Sequence, residues 1–534
     1  MKTKISIAGI VIVICIATIL TYIATRNGLC LAIDGYWYLY MARFIKRFWR
    51  ISSLSTFDKT LFNNLLLFYG DAIKSWPPFY SILLAITGWT SDPYKAGRLL
   101  HLIFPGSIGF MICLLFRQHQ KSYARSFFAI SLILVSPPIV YFNCFVLSES
   151  LFIFLQLLIM ITISHYLNSQ NNLFLFLSAF FVCIACMTKY FGIAVVPALA
   201  IMTWYANRKS SFFRCFSLCI LCVLVSALPV IVFMVLPIGD NTFELVGGRP
   251  LFLKTPNLLL FTGVTLQSII QYLSPLKGPF LLKIIFASGV ASLSIMLVIW
   301  ELRHQLRYPP SQGIIQLQLF IGLCIIGYFF MVLLLSFLYH DNVFNGLNTR
   351  YLAPLFMWAV ILIGVMGADE SCLTLNRSFK RFFFSFIFFI LIAVYLYDAS
   401  WMACKINKQN EYSTKLWKGD TVWHYIHNTS NTSYILSNEP SKVSHYAGIP
   451  AFLIPNRYFL SISRSFNTYE EHMYHLKQML KQNSGVVLYF NPYLNEQPEI
   501  SIILGSPSVE ECIQLLDLEI VARTENCLIL RPKS

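Results

Sequence analysis

The residues best suited to chemistry in this chain are acids and bases standing at the ends of long apolar runs. Asp34 follows the first such run and opens Asp34-Gly-Tyr-Trp-Tyr-Leu39, a carboxylate at a membrane exit followed by aromatic residues. A carboxylate placed there can take the proton from a hydroxyl or amine that attacks a lipid-borne substrate at the lipid–water boundary. Glu149 and Lys189 are each embedded in apolar sequence. An ionisable group at membrane depth is costly and ordinarily faces a cavity, a partner or a substrate. Arg350 closes the polar segment 340–350, and Arg43, Asp58, Asp71 and Lys74 share the stretch 26–95 with Asp34. Acids and bases collected on one face suit transfer chemistry on an anionic lipid.

The elements that must position these residues are membrane spans. Of 534 residues, 57% are hydrophobic and 12% charged, against about 45–50% and about 25% in a soluble domain. The chain reads as a multi-pass membrane protein. Its net charge of +16 sits mostly in short connectors between apolar runs, the positive-inside pattern. It does not form a phosphate-tracking face, so no nucleic-acid partner is expected. Runs long enough to span fall near 5–25, 96–117, 126–143, 145–167, 172–188, 190–207, 213–236, 283–301, 314–338, 351–368 and 381–398, about eleven in all. Lys2 and Lys4 place the N-terminus in the cytoplasm, and alternation then puts Arg117/Lys121/Arg125, Arg208/Lys209/Arg214, Arg303/Arg307 and Arg377/Lys380/Arg381 there as well. The first run lacks a clear cleavage site and reads as an uncleaved span.

Residues 77–90 are apolar but too short to cross. They read as an interfacial or re-entrant helix opened by Pro77 and Pro78. The first outer loop, 26–95, thus carries two surface-lying helices, the other spanning 35–48. Residues 1–398 form the membrane domain and 399–534 an extracytoplasmic tail of α/β texture. In the tail, 433–437, 485–490 and 527–531 read as strands and 469–482 as a helix. Most of the 14 cysteines fall in apolar runs, where they act as small hydrophobes. Cys183 and Cys186 form a C-x-x-C without further ligands at zinc spacing.

The chain resembles the polytopic glycosyltransferases of the GT-C fold, relatives of the lipid A aminoarabinose transferases and protein O-mannosyltransferases. The resemblance rests on Asp34-Gly-Tyr-Trp-Tyr-Leu39, Trp76-Pro-Pro-Phe-Tyr-Ser-Ile-Leu-Leu-Ala85, Leu147-Ser-Glu-Ser-Leu-Phe152, Met187-Thr-Lys-Tyr-Phe-Gly192 and Thr349-Arg-Tyr-Leu-Ala-Pro354, in that order. It implies an α-helical membrane protein moving a sugar from a polyprenyl-phosphate donor to a lipid, glycan or protein acceptor at the outer face of a bacterial inner membrane. The expected course is inversion in a single displacement. The resemblance implies Asp34 as general base or acceptor-orienting acid, with a second acid at Asp71 or Asp58. Arg350, with Tyr351 beside it, Lys189 and Glu149 would meet the lipid phosphate or sugar, with Lys74 and Arg43 in reserve. Lys189 departs from the common pattern, where many members carry Arg, which weakens bidentate phosphate binding there. No cofactor is expected; His340 and Asp341 are too few to define a cation site.

Plainer readings stand beside these. Asp34 could cap helix 35–48, Glu149 and Lys189 could pair structurally between spans, and Asp58 and Asp71 could be solvated loop charges. Arg350 could snorkel to the interface. Two rival classes are a lipid-linked sugar transporter, which should place polar sites near the midplane of paired halves, and a non-catalytic membrane scaffold.

Overall fold

The computed structural model describes residues 2–29, 77–119, 123–235, 258–273, 312–338, 349–366 and 389–408, with parts of 35–46 and 245–250 and residue 288. Toward the C-terminus it describes 435–438, 452–454, 469–482, 485–490, 508–524 and 527–533, with single positions between 422 and 443. The chain divides into two compact units. One comprises 1–49, 76–236 and 251–408, the other 50–75, 237–250 and 409–534.

The first unit is helical. Its elements are α1 (Lys2–Ala24), α2 (Phe79–Thr87), α3 (Pro93–Gln118), α4 (Tyr123–Leu134), α5 (Pro137–Asn143), α6 (Glu149–Ser169), α7 (Asn172–Thr188), a 3₁₀ turn (Tyr190–Ala194), α8 (Val195–Asn207), α9 (Phe212–Val235), α10 (Leu258–Leu273), α11 (Gln312–Leu338) and α12 (Thr349–Met366), then α13 (Phe389–Lys408). Among the described residues, seven helices are long and apolar enough to cross a membrane, or eight if the bent pair α4–α5 is one span. Asn172–Thr188 and Thr349–Val365 are shorter apolar helices. Together these coincide with ten of the eleven expected runs; 283–301 lies outside the described residues. Large apolar side chains point outward along these helices, Phe213, Phe330 and Phe389 among them. Hydrocarbon tolerates that arrangement because the backbone is satisfied within each helix.

Two departures have clear causes. The run 126–143 is not straight: α4 and α5 meet at 64°. Pro137 and Pro138 lack N–H groups and suit the first turn of a helix, and the Pro137 ring disfavours a helical residue before it, so Ser136 is extended (φ −63°, ψ 130°). The short apolar stretch after Pro77 becomes the nine-residue α2, too short to cross. Its Tyr80, Leu84 and Ala85 are fully buried, and it packs on α3.

Polar contacts join the helix ends in two tiers. In one, Asn27 donates to Asn407 (3.1 Å), Tyr94 to the Leu29 carbonyl (2.8 Å) and Tyr272 to the Thr349 carbonyl (2.8 Å). In the other, Ser164 meets His119 (2.7 Å) and Gln118 (3.0 Å), and Asn207 donates to Tyr166 (2.5 Å). The ends that charge bias assigns to one face therefore meet one another, and the ends assigned to the other face do likewise.

The second unit contains a five-stranded sheet ordered β4-β3-β5-β7-β6, built from β3 (Ile435–Ser437), β4 (Phe452–Leu453), β5 (Val486–Phe490), β6 (Leu518–Arg523) and β7 (Cys527–Pro532). A short hairpin, β1 (Leu245–Val246) with β2 (Arg249–Pro250), belongs to the same unit. Strand β3 runs parallel to β4 and β5, while β7 is antiparallel to both β5 and β6. Alternate β5 residues face opposite sides. Val487 joins Leu476 and Leu480 of α14 (Tyr469–Gln482) and Leu516 of α15 (Val509–Leu516), whereas Val486, Leu488 and Phe490 join Val422 and Ile426. Burial on both faces explains the uninterrupted apolar run.

Candidate functional site

The site begins at a break before α6. Residues 144–148 form a turn, and α6 opens on Glu149, a carboxylate at the positive end of a helix dipole. Glu149 is 2% exposed. Across from it, α7 ends at Thr188 and Lys189 takes an extended conformation (φ −149°, ψ 126°). Gly192 makes this break possible. A Cβ there would stand 2.6 Å from the Cys186 nitrogen and 2.7 Å from the Ala185 carbonyl carbon, so only glycine lets the 3₁₀ turn fold back on the end of α7. The Lys189 ammonium then lies 3.0 Å from Glu149 Oε1.

Arg350, in the first turn of α12, donates from Nε to the same Oε1 at 2.5 Å. One buried carboxylate thus holds two cations from two other elements. Its second oxygen, Oε2, is buried without a hydrogen-bond partner among the described residues. Aromatic rings wall the cluster: Lys189 Nζ is 5.9 Å from the Tyr351 ring centroid, Phe191 lies 4.8 Å from Tyr351, and Tyr328 lies 5.5 Å from Phe191.

The first-loop motif reaches this cluster from the other side. A Cβ on Gly35 would stand 2.6 Å from the Val146 carbonyl oxygen, so the residue after Asp34 lies directly against the turn that precedes Glu149. Tyr38 hydrogen-bonds Ser148 (3.1 Å), and its ring meets Tyr80 edge-on at 5.0 Å. Tyr80 hydrogen-bonds His101 Nε2 at 2.7 Å. Three of the quoted motifs, those of Tyr38, Tyr80 and Ser148, are therefore packed together.

Glu149, Lys189, Arg350 and Tyr351 come together. Arg43 does not join them: it pairs with Asp92 at 3.3 Å, and Asp92 also caps α3 by accepting from the Tyr94 nitrogen. Asp34, Asp58, Asp71 and Lys74, with His340 and Asp341, lie outside the described residues. Sequence reasoning quoted Tyr80 and Ser148 within motifs without giving either a role, and passed over His101 and Asp92. Asp92 carried a local signal, an acid followed by Pro93 at a helix start; His101 did not. Among the described residues no group of three or more His, Cys, Asp or Glu side chains could hold a metal ion. Cys186 is buried and free.

No sequence family matches the chain, and no curated protein does either. Solved structures do. ArnT from Cupriavidus metallidurans bound to undecaprenyl phosphate superposes with a TM-score of 0.58 at 12% identity, covering 97% of each chain. The arabinofuranosyltransferase AftD from Mycobacteria gives 0.52 at 14% identity, covering 98% of this chain and 40% of that one. The Archaeoglobus fulgidus oligosaccharyltransferase tethered to an acceptor peptide gives 0.50 at 10% identity, covering 97% and 74%. These likenesses show that the chain has the GT-C fold.

Proposed function

We propose that this protein is an integral-membrane glycosyltransferase that takes a sugar from a polyprenyl-phosphate donor and passes it to a lipid, glycan or protein acceptor at the outer face of a bacterial inner membrane. The observation that carries this reading is the buried cluster of Glu149, Lys189 and Arg350, with Gly35 and Tyr38 packed against the turn that precedes Glu149, in a fold shared with a protein solved bound to undecaprenyl phosphate. About eleven spans, a cytoplasmic N-terminus and an extracytoplasmic tail complete the arrangement.

In this reading the acceptor oxygen or nitrogen attacks the anomeric carbon while its proton passes to the Asp34 carboxylate. The bond between that carbon and the phosphate oxygen breaks, and its electron pair stays on the phosphate. Arg350 and Lys189 stabilise the charge that develops there. A single displacement of this kind inverts the anomeric centre and, as written, uses no cofactor. Asp71 or Asp58 supplies a second acid.

The test is transfer in vesicles from a panel of polyprenyl-phosphate sugars to envelope lipid and glycan extracts, comparing wild type with Asp34→Asn at equal folded amounts. The expected result is donor-dependent turnover that falls about 10²–10⁴-fold in the variant. Equal turnover would move the base elsewhere, to Asp71 first. Absence of turnover with every donor would contradict the assignment.

A further inference from the structure

We infer that Glu149 is a resident anion, occupying Arg350 until a phosphate group displaces it. The inference deepens the proposed function and rests on it. Both cations bond one oxygen of Glu149, yet they differ in freedom. The Lys189 side chain is 8% exposed and the Arg350 side chain 31%. The Lys189 ammonium is held in the buried part of the site, and Glu149, 2% exposed, cannot lose both cations without stranding a buried charge. Arg350 can turn away and leave Glu149–Lys189 as a closed, neutral pair.

The local field favours an incoming anion. Among the described residues two cations share one carboxylate, and both α6 and α12 begin here, so two helix dipoles point their positive ends at the cluster. The planar guanidinium matches phosphate oxygens two at a time, whereas Glu149 engages it through Nε. Phosphate on a lipid headgroup and free phosphate share this chemistry. In the exchange no covalent bond changes: the Arg350–carboxylate contact opens and an Arg350–phosphate contact forms. Glu149 thereby opposes capture of weakly matched anions and keeps Arg350 paired while the site is empty.

The experiment measures binding of undecaprenyl phosphate, and separately of inorganic phosphate, to the full-length protein in nanodiscs. Glu149→Gln should tighten undecaprenyl phosphate binding about tenfold, the worth of one charge-assisted pair. Glu149→Gln/Lys189→Met removes both buried charges, guards against misfolding of the single variant, and should tighten binding in the same direction. Adding Arg350→Gln to either should abolish the gain. If wild type binds the lipid but neither Glu149 variant binds it more tightly, the exchange is refuted and the glycosyltransferase reading survives. If only inorganic phosphate binds, and more tightly in the Glu149 variants, the exchange holds while the lipid-donor reading fails. If wild type binds neither probe, both are overturned.

Discussion

Among the described residues are two clusters in which one carboxylate gathers several cations, and they differ in almost everything else. In the membrane unit Glu149 is 2% exposed and binds Lys189 and Arg350. In the second unit Asp517, its side chain 35% exposed, meets Lys477 at 3.2 Å, Lys481 at 3.6 Å and Lys533 at 3.7 Å. Burial, more than the number of partners, sets what each is worth. A buried charge stripped of its partner has no water to fall back on; an exposed one is solvated and screened by salt. Charge balance alone would rank the Asp517 cluster first, whereas dielectric surroundings rank Glu149 first.

Removing the carboxylates should expose this difference most plainly. Glu149→Leu takes the carboxylate from the buried Lys189 ammonium and should cost about 3–5 kcal/mol, read as a lowered unfolding temperature in detergent. Glu149→Leu/Lys189→Leu should restore most of that loss, because a packed apolar pair replaces a buried ionic one. If the double variant proves no more stable than the single, the pair is not what Glu149 supports. Gly192→Ala drives a Cβ into the backbone of α7 and should cost about 1–3 kcal/mol. Tyr38→Phe removes one hydrogen bond to Ser148, worth about 0.5–1.5 kcal/mol, measurable by the same melts.

The smallest effect belongs to the exposed cluster. The hydrogen bond from Lys477, then the charges of Lys477, Lys481 and Lys533, hold the Asp517 carboxyl below its usual range. A depressed carboxyl stabilises the folded state above its unfolded pKa and loses that contribution as pH falls through its folded value. Protection of the α14 amides, with exchange rates referred to the intrinsic rate at each pH, should therefore fall slightly as pH drops through the acidic range, and 1 M salt should flatten the change. An effect as large as that of Glu149→Leu would break the contrast.

Sequence patterning revealed the parts of the site that burial makes conspicuous. Glu149 and Lys189 stand out because charge interrupts apolar runs, and β5 because both its faces are covered. What periodicity could not show is which helix faces meet. A membrane helix is apolar all round, so its sequence carries little record of its neighbours. Arg350 and Glu149 are 201 positions apart, and Tyr38 reaches Ser148 through tertiary packing alone. Other omissions were local. Ser508 caps α15 by accepting from the Glu511 nitrogen at 3.1 Å, a spacing that marks a helix start in a stretch of the tail where the sequence reading placed no helix. Pro137 and Pro138 announced the break in α4–α5 that hydropathy smoothed over. Strand β6 escaped notice because it lies at the sheet edge and leaves most of its side chains exposed.

The most direct test of the central claim is a cryo-EM structure of the full-length protein in nanodiscs with undecaprenyl phosphate. The account predicts the lipid phosphate on the Arg350 guanidinium, beside Tyr351, with Glu149 retained by Lys189. Phosphate density at the opposite helix ends, near Arg208 and Arg214, with Arg350 still on Glu149, would contradict it.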